Sequence, residues 1–138
     1  FDNALKSALI IKTPGRSLNR KSINSIIETV DIYPSILELC QIKPQYRTDG
    51  ESFVNLLKGI NSKTDNVAYS YFKNGISLRT KKYRLTQYFR KEEPTIELYD
   101  HENDPNETRN IANSKPEIVN ELMPLMKSGD TGLYQRNY

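Results

Sequence analysis

The stretch VAYSYFKNGISLRTKKYRLTQYF, residues 67–89, decides the fold predicted for this chain. Tyr, Phe, Ile and Leu recur there in short runs separated by turn-forming residues, which is typical of β-strands. The pattern predicts strands over 67–72, 76–79, 83–88 and 95–99. Lys73-Asn74-Gly75 predicts a hairpin, because Asn-Gly readily adopts positive φ. We therefore expect an antiparallel meander of four strands.

A helix is predicted after the strands, beginning at Ser114. Pro116 lies just inside it and Glu117 follows the serine by three residues, which is a capping-box pattern. The helix should present one apolar face, and Pro124 should kink or shorten it. That face comprises Ile118, Leu122, Leu125 and Met126. The predicted fold class is α+β, with a four-stranded antiparallel sheet packed against a C-terminal helix.

The residues before the sheet indicate a strand followed by helices. Ala8 to Ile11 is an apolar run closed by a Thr-Pro-Gly turn, which predicts a short buried strand. Residues 23–30 are expected to form a short strand or an irregular link. Asp31 is a candidate N-cap for a helix over 32–40, on whose apolar face Cys40 should be buried. A second short helix is predicted over 52–57, ended by Gly59.

Composition excludes several classes of protein. The 138 residues include one Cys and one His, which excludes an internal disulfide framework and a CxxC or His-rich metal site. No apolar run approaches the length that spans a membrane. When Gly is counted as apolar and Tyr is not, apolar residues make up 34% of the chain, below the usual share of a globular domain. We expect a folded unit with a thin core of its own.

Charge is divided along the chain. Residues 1–91 carry 16 Lys and Arg against 7 Asp and Glu, or +9, whereas residues 92–138 carry 4 against 10, or −6. Basic and aromatic residues alternate within the strands, and Arg84 stands between Tyr83 and Leu85. Two readings are open: a strand with one buried and one wet face, or a surface that contacts polyanions.

The acidic residues Asp100, Glu102, Asp104 and Glu107 are the most obvious metal candidates. An EF-hand loop requires Gly at its sixth position, where Pro105 falls, so we expect a turn that leads into a helix. Because no partner motif accompanies His101, it is expected to be a surface residue. No activated nucleophile and no Gly-rich phosphate loop is present.

Taken in order, several segments resemble the C-terminal portion of type I sulfatases, which belong to the alkaline-phosphatase-like superfamily. The matching segments run from about residue 4 to 127 and comprise ALIIKTPG at 8–15, VDIYPSILELCQI at 30–42, DGESF at 49–53, AYSY at 68–71, ISLRTKKYRLT at 76–86, ELYD at 97–100 and DPNETRNIA at 104–112. The AYS, SLRT, YRLT and ELYD series is most similar to the iduronate-2-sulfatase group.

The resemblance implies a parent sulfatase acting on sulfated glycans, of which this chain is a C-terminal fragment. Residues 1–60 would end the α/β catalytic region, and residues 61–138 would form the C-terminal subdomain. The parent would use calcium and a formylglycine made in a Cys/Ser-x-Pro-x-Arg motif. Cys40 is followed by Gln-Ile-Lys-Pro and does not match that motif, so no catalytic or metal-binding residue is carried over and the fragment should be inactive alone.

Partners and location follow from the same resemblance. The expected partners are the N-terminal catalytic domain and a sulfated carbohydrate, and neither nucleic acid nor a membrane. The parent is expected to be exported, to the periplasm or outside the cell in a bacterium and to the lysosome in an animal.

We assign structural roles to Asp31 and Arg79. For Arg79 the reason is that an arginine side chain offers a planar fork for a carboxylate or for backbone carbonyls.

Three basic residues are candidates for substrate contact, and the alternative is that they only keep the surface soluble. Lys73, Arg90 and Lys91 stand at expected turns, where side chains reach outward from a sheet. Two alternatives to the sulfatase hypothesis remain: an autonomous basic module that binds polyanions, and the same subdomain of a related phosphonate or phosphate esterase.

Overall fold

The computed structural model describes residues 5–13, 22–60, 66–72, 74–89 and 95–131. These residues divide into two compact units. We call residues 8–66 the first unit, and residues 67–131 together with 5–7 the sheet unit.

The sheet unit contains the predicted meander. Strands β1 (Ala68–Phe72), β2 (Gly75–Arg79), β3 (Tyr83–Tyr88) and β4 (Thr95–Asp100) lie in that order, and each pairs antiparallel with the next. The hairpin at 73–75 is confirmed, but Phe72 pairs with Gly75. Gly75 is therefore a residue of β2 and has no positive φ.

Helix α3 (Pro116–Ser128) packs against one face of the sheet, which we call the helix face. Alternation along each strand places apolar side chains on that face. Leu78, Leu85 and Leu98 are fully buried there, and Met126 of the helix is almost fully buried against them. The four-stranded sheet with its C-terminal helix is confirmed.

The details of α3 differ from the capping prediction. The helix begins at Pro116 and its N-cap, Lys115, makes no side-chain capping hydrogen bond. The Ser114 hydroxyl instead donates to the Ile111 carbonyl, 3.1 Å away, so the capping box is wrong. The buried face includes Val119, whereas Leu125, predicted to be buried, is 38% exposed.

Residues that follow β4 cover its outer edge. The Leu98 N–H donates to Asn110 Oδ1 at 3.0 Å, and Asn110 Nδ2 donates to the Ile96 carbonyl at 3.2 Å. The Ile111 N–H donates to the Leu98 carbonyl at 2.9 Å. Asn110 and Ile111 therefore pair with an edge strand that would otherwise present unpaired backbone groups.

The first unit contains a 3₁₀ turn (Thr29–Asp31), helix α1 (Ile32–Leu39) and the short helix α2 (Val54–Leu57). Both predicted helices are confirmed, and Gly59 ends α2 with φ +71°. Residues 22–28 have no regular structure, so the irregular link is the correct alternative. Asp31 occupies the N-cap position of α1, but its side chain does not cap the helix.

Two burial predictions for the first unit are wrong. Residues 8–11 form no strand, and Ile10 is 92% exposed. A strand requires hydrogen bonds to a neighbour, and the described residues supply none to this segment. Cys40 is also exposed, because it follows the last turn of α1. No helix in the described part of the chain is long and apolar enough to cross a membrane.

Candidate functional site

Four ionisable side chains form a cluster at one end of the sheet, which we call the Glu107 cluster; Arg79 is partly buried and the other three side chains are buried. Its members are Arg79, Arg84, His101 and Glu107. Arg84 Nε donates to Glu107 Oε1 over 2.5 Å, and their side chains are 3% and 1% exposed. His101 Nε2 lies 2.8 Å from the same oxygen, and Arg79 Nη2 lies 2.9 Å from His101 Nδ1.

Sheet register and one loop bring these side chains together. Arg79 of β2 is directly opposite Arg84 of β3, on the face away from α3, which we call the polar face. On the same face, Thr86 Oγ1 donates to Ser77 Oγ over 2.9 Å. Glu107 reaches them from the loop after β4 and has φ +55°. A positive φ is uncommon for a residue with a side chain. The hydrogen bonds from Arg84 and His101 hold the Glu107 side chain in place.

The hydrogen bonds of the cluster select one tautomer of His101. A guanidinium has donors and no acceptor, so Nδ1 must accept from Arg79. Nε2 therefore carries the proton, which it donates to Glu107. Both ring nitrogens are used in these hydrogen bonds, so the histidine does not offer a nitrogen for general-base catalysis in this arrangement.

The structure corrects two expectations about these residues. The His101 side chain is 7% exposed, so the surface assignment is wrong. Arg84 is buried, with 3% of its surface exposed, so the prediction that β3 has one wet face is also wrong at this position. Arg79 donates to His101 and to the Thr80 carbonyl, contacts that hold the end of β2.

The acidic loop is organised by its own hydrogen bonds. Asp104 Oδ1 accepts from the Thr108 hydroxyl at 2.9 Å, and Oδ2 accepts from the Arg109 N–H at 2.8 Å. Backbone N–H groups of Thr108 and Arg109 hold the pKa of Asp104 below its usual range. Asp100 accepts from the Glu102 N–H at 3.0 Å. The predicted turn is confirmed; among the described residues, no group of three or more His, Cys, Asp or Glu could hold a metal ion.

Tyr99 lies on the polar face, opposite Arg84, and is 7% exposed. Its hydroxyl donates to Glu97 Oε2 over 3.2 Å. Burial, with the added effect of the Glu97 charge and hydrogen bond, raises the pKa of Tyr99 to about 12. The tyrosine is therefore a neutral hydrogen-bond donor at any ordinary pH.

The residues assigned to substrate contact, Lys73, Arg90 and Lys91, lie outside the described residues. Their described neighbours are Phe72 and Asn74 at the first hairpin and Phe89 after β3. The Phe89 N–H donates to the Asn74 carbonyl over 2.5 Å. This bond joins the end of β3 to the hairpin turn, so both loops leave the same end of the sheet.

Asp31 joins two segments of the first unit. Its Oδ2 accepts from the Glu28 N–H and its Oδ1 from the Glu51 N–H, each over 2.8 Å. Ser35, 1% exposed, donates to the Asp31 carbonyl and accepts from the Phe53 N–H over 2.9 Å. Sequence reasoning assigned Asp31 a structural role without these partners, of which Glu51 lies 20 residues away.

A family model described as "N-sulphoglucosamine sulphohydrolase, C-terminal" matches residues 1–129. A relative described as a sulfatase, from Formosa agariphila, is 32% identical over 144 residues, which cover 100% of this chain and 27% of the relative.

Two solved structures are similar to the chain. One is described as a 2-O GAG sulfatase; it is 26% identical, with a TM-score of 0.60 over 73% of this chain and 24% of that protein. The other was solved in complex with its substrate D-glucosamine-2-N,6-O-disulfate; it is 22% identical, with a TM-score of 0.63 over 72% of this chain and 23% of that protein. At 22% identity, the similarity to this second structure shows the fold alone. The chain spans about a quarter of the length of these relatives.

Proposed function

Because the chain belongs to the family of N-sulphoglucosamine sulphohydrolase C-terminal domains, we propose that it is the non-catalytic end of a sulfuric ester hydrolase that acts on sulfated glycans. The family match over residues 1–129 carries this proposal. In it, the chain supports a catalytic domain and forms part of the wall of the substrate cleft.

The chemistry of the described residues favours a supporting role. The one histidine is held between Arg79 and Glu107, and Cys40 lacks the residues that accompany the modified cysteine of sulfatases. The calcium and formylglycine that sulfatases use do not fit the described residues of this chain, and we derive no step through them. They belong, in this proposal, to the catalytic domain of an exported parent enzyme.

The exposed apolar residues of the first unit support the proposed partner. Large apolar side chains are exposed there, and those at least half exposed are Ile10, Val30, Tyr33, Ile36, Ile42, Tyr46 and Ile60. Soluble monomers rarely expose large contiguous apolar surfaces. We assign the catalytic domain as the surface that covers them, with residues 8–11 pairing as a strand at the edge of its sheet.

The finer proposal is an iduronate-2-sulfatase-like activity, in which the substrate bears a 2-O-sulfate. Its support is the series of segments over residues 68–100. Lys73, Arg90 and Lys91 would attract the polyanionic chain, and their effect should weaken with salt.

Kinetics of the full-length enzyme test both the sulfatase proposal and the iduronate-2-sulfatase-like assignment. We expect sulfate release from a 2-O-sulfated disaccharide to exceed that from its 6-O-sulfated isomer. Arg90→Glu/Lys91→Glu should raise the KM for a sulfated oligosaccharide more than the KM for a small aryl sulfate, whereas Lys115→Glu, on the exposed side chain before α3, should change neither.

Each result has a distinct meaning. Preference for the 6-O isomer would reject the iduronate-2-sulfatase-like assignment and retain the sulfatase. Equal effects of the double variant on both substrates would place the two residues outside the cleft. Absence of sulfate release from any ester, with release of phosphate or phosphonate instead, would reject the sulfatase proposal itself.

A further inference from the structure

Two aromatic residues flank a glycine on the polar face, at the hairpin end of the sheet. Phe72 of β1 pairs with Gly75 of β2, which in turn pairs with Tyr88 of β3. Directly paired residues share a face. Tyr69 and Tyr71 donate to backbone carbonyls at the C-terminal end of α3, so Phe72, next in the strand, points to the opposite face.

The glycine makes room for one of the rings. A methyl group at Gly75 would lie 2.9 Å from Cδ1 and 3.3 Å from Cε1 of Tyr88, so the tyrosine ring lies over the glycine. Phe72, on the other side, is 70% exposed. Since adjacent strands are about 4.8 Å apart, the backbones that carry the two rings are roughly 10 Å apart. The row Phe72, Gly75 and Tyr88 is our aromatic platform.

From this geometry we propose that the aromatic platform stacks on the sugar rings of the glycan substrate. The inference rests on the proposed function for the identity of the ligand. Aromatic rings supply a flat apolar surface at low entropic cost, and the C–H face of a pyranose is a matching surface. The Tyr88 pairing partner is Thr95, whose hydroxyl adds a polar group beside the platform.

Sequence position supports a glycan as the occupant. Lys73 directly follows Phe72, and Arg90 and Lys91 follow Tyr88 by two and three residues. Cations adjacent in sequence to both rings suit a ligand that carries sulfate groups as well as sugar faces. The platform itself contacts the sugar ring, and this contact does not depend on the charge of the ligand.

The test is a titration of the 138-residue chain with a sulfated heparin oligosaccharide and, separately, with its desulfated counterpart. Two-dimensional NMR spectra recorded at each step monitor the binding. Phe72→Ala should weaken binding of both oligosaccharides by about the same factor, roughly five-fold, and added salt should weaken only the sulfated one. Phe72→Tyr should restore binding. Tyr46→Ala is the matched control, because Tyr46 is an aromatic residue of the first unit that is 73% exposed.

Three results would overturn the platform. They are an effect of Phe72→Ala no larger than that of Tyr46→Ala, an effect confined to the sulfated oligosaccharide, and no binding of the desulfated oligosaccharide by the wild-type chain. None of them rejects the sulfatase proposal, which is tested by sulfate release. Because Phe72 is largely exposed, its substitution should leave the spectrum of the folded sheet unchanged.

Discussion

Replacing Glu107 by Gln should destabilise the sheet unit severely. The substitution keeps the shape of the side chain and removes the charge that compensates Arg84, whose side chain is 3% exposed. Breaking a buried ion pair by removing one partner typically costs about 3–5 kcal/mol, because the other charge stays buried. One kcal/mol shifts the Tm of a domain of this size by about 4–8 °C, so we expect a loss of at least about 12 °C.

A second glutamate in the same loop provides the control. Glu102 pairs with Lys82 over 2.8 Å, but both side chains are well exposed, and such pairs contribute little to stability. Thermal and urea unfolding of the 138-residue chain, followed by circular dichroism, should therefore separate Glu107→Gln from Glu102→Gln by several kcal/mol. Similar unfolding free energies for the two variants would refute the reasoning. Arg84→Met/Glu107→Leu should recover part of the loss, since an apolar pair leaves no charge buried.

Three further predictions concern single residues. Gly50→Ala should destabilise the first unit by about 1–3 kcal/mol, since its Cβ would lie 2.3 Å from the Val30 carbonyl oxygen; an unchanged urea midpoint would contradict this. Ser35→Ala should cost about 1–3 kcal/mol because it leaves the buried Phe53 N–H without its acceptor, whereas Ser35→Thr should cost less if the hydroxyl is what matters. The pKa of Tyr99 is raised to about 12, so the contribution of this group to stability is complete below pH 10 and is lost as the pH rises toward 12. Tyr99→Phe should remove this part of the alkaline instability. In a titration followed by tyrosinate absorbance, the variant should lack the one tyrosine that ionises near pH 12.

The elements of the sheet unit could be predicted because their signals are local. Apolar side chains at every second position and turn residues between the runs define four strands without knowledge of their partners. The boundary of α3 was less predictable. Ser114 and Glu117 have the spacing of a capping box, but the Ser114 hydroxyl donates backward to Ile111, and Pro116 supplies the helical φ at the start of the helix.

The Glu107 cluster could not be predicted, because its bonds join residues far apart in sequence. Arg84 and Glu107 are 23 residues apart, and an arginine between two apolar residues ordinarily indicates a solvated face. The only local signal was the Asp-Pro turn, which predicts where the loop bends and not which side chain enters the interior. Burial of the pair depends on strand register, since Arg79 and Arg84 face the loop through their position in the sheet.

The first unit shows the opposite case, in which a local signal predicted a buried strand that residues 8–11 do not form. The run Ala-Leu-Ile-Ile is suited to a strand by composition, yet Ile10 is 92% exposed. An isolated strand gains neither ladder hydrogen bonds nor a packed face, so a run of this composition forms a stable strand only where another sheet pairs with it. If the catalytic domain of a sulfatase supplies that sheet, addition of a separately produced catalytic domain should protect the backbone amides of residues 8–11 from hydrogen exchange and leave those of α3 unchanged. Exchange at residues 8–11 that stays as fast as in the chain alone would contradict the pairing of this segment with the catalytic domain.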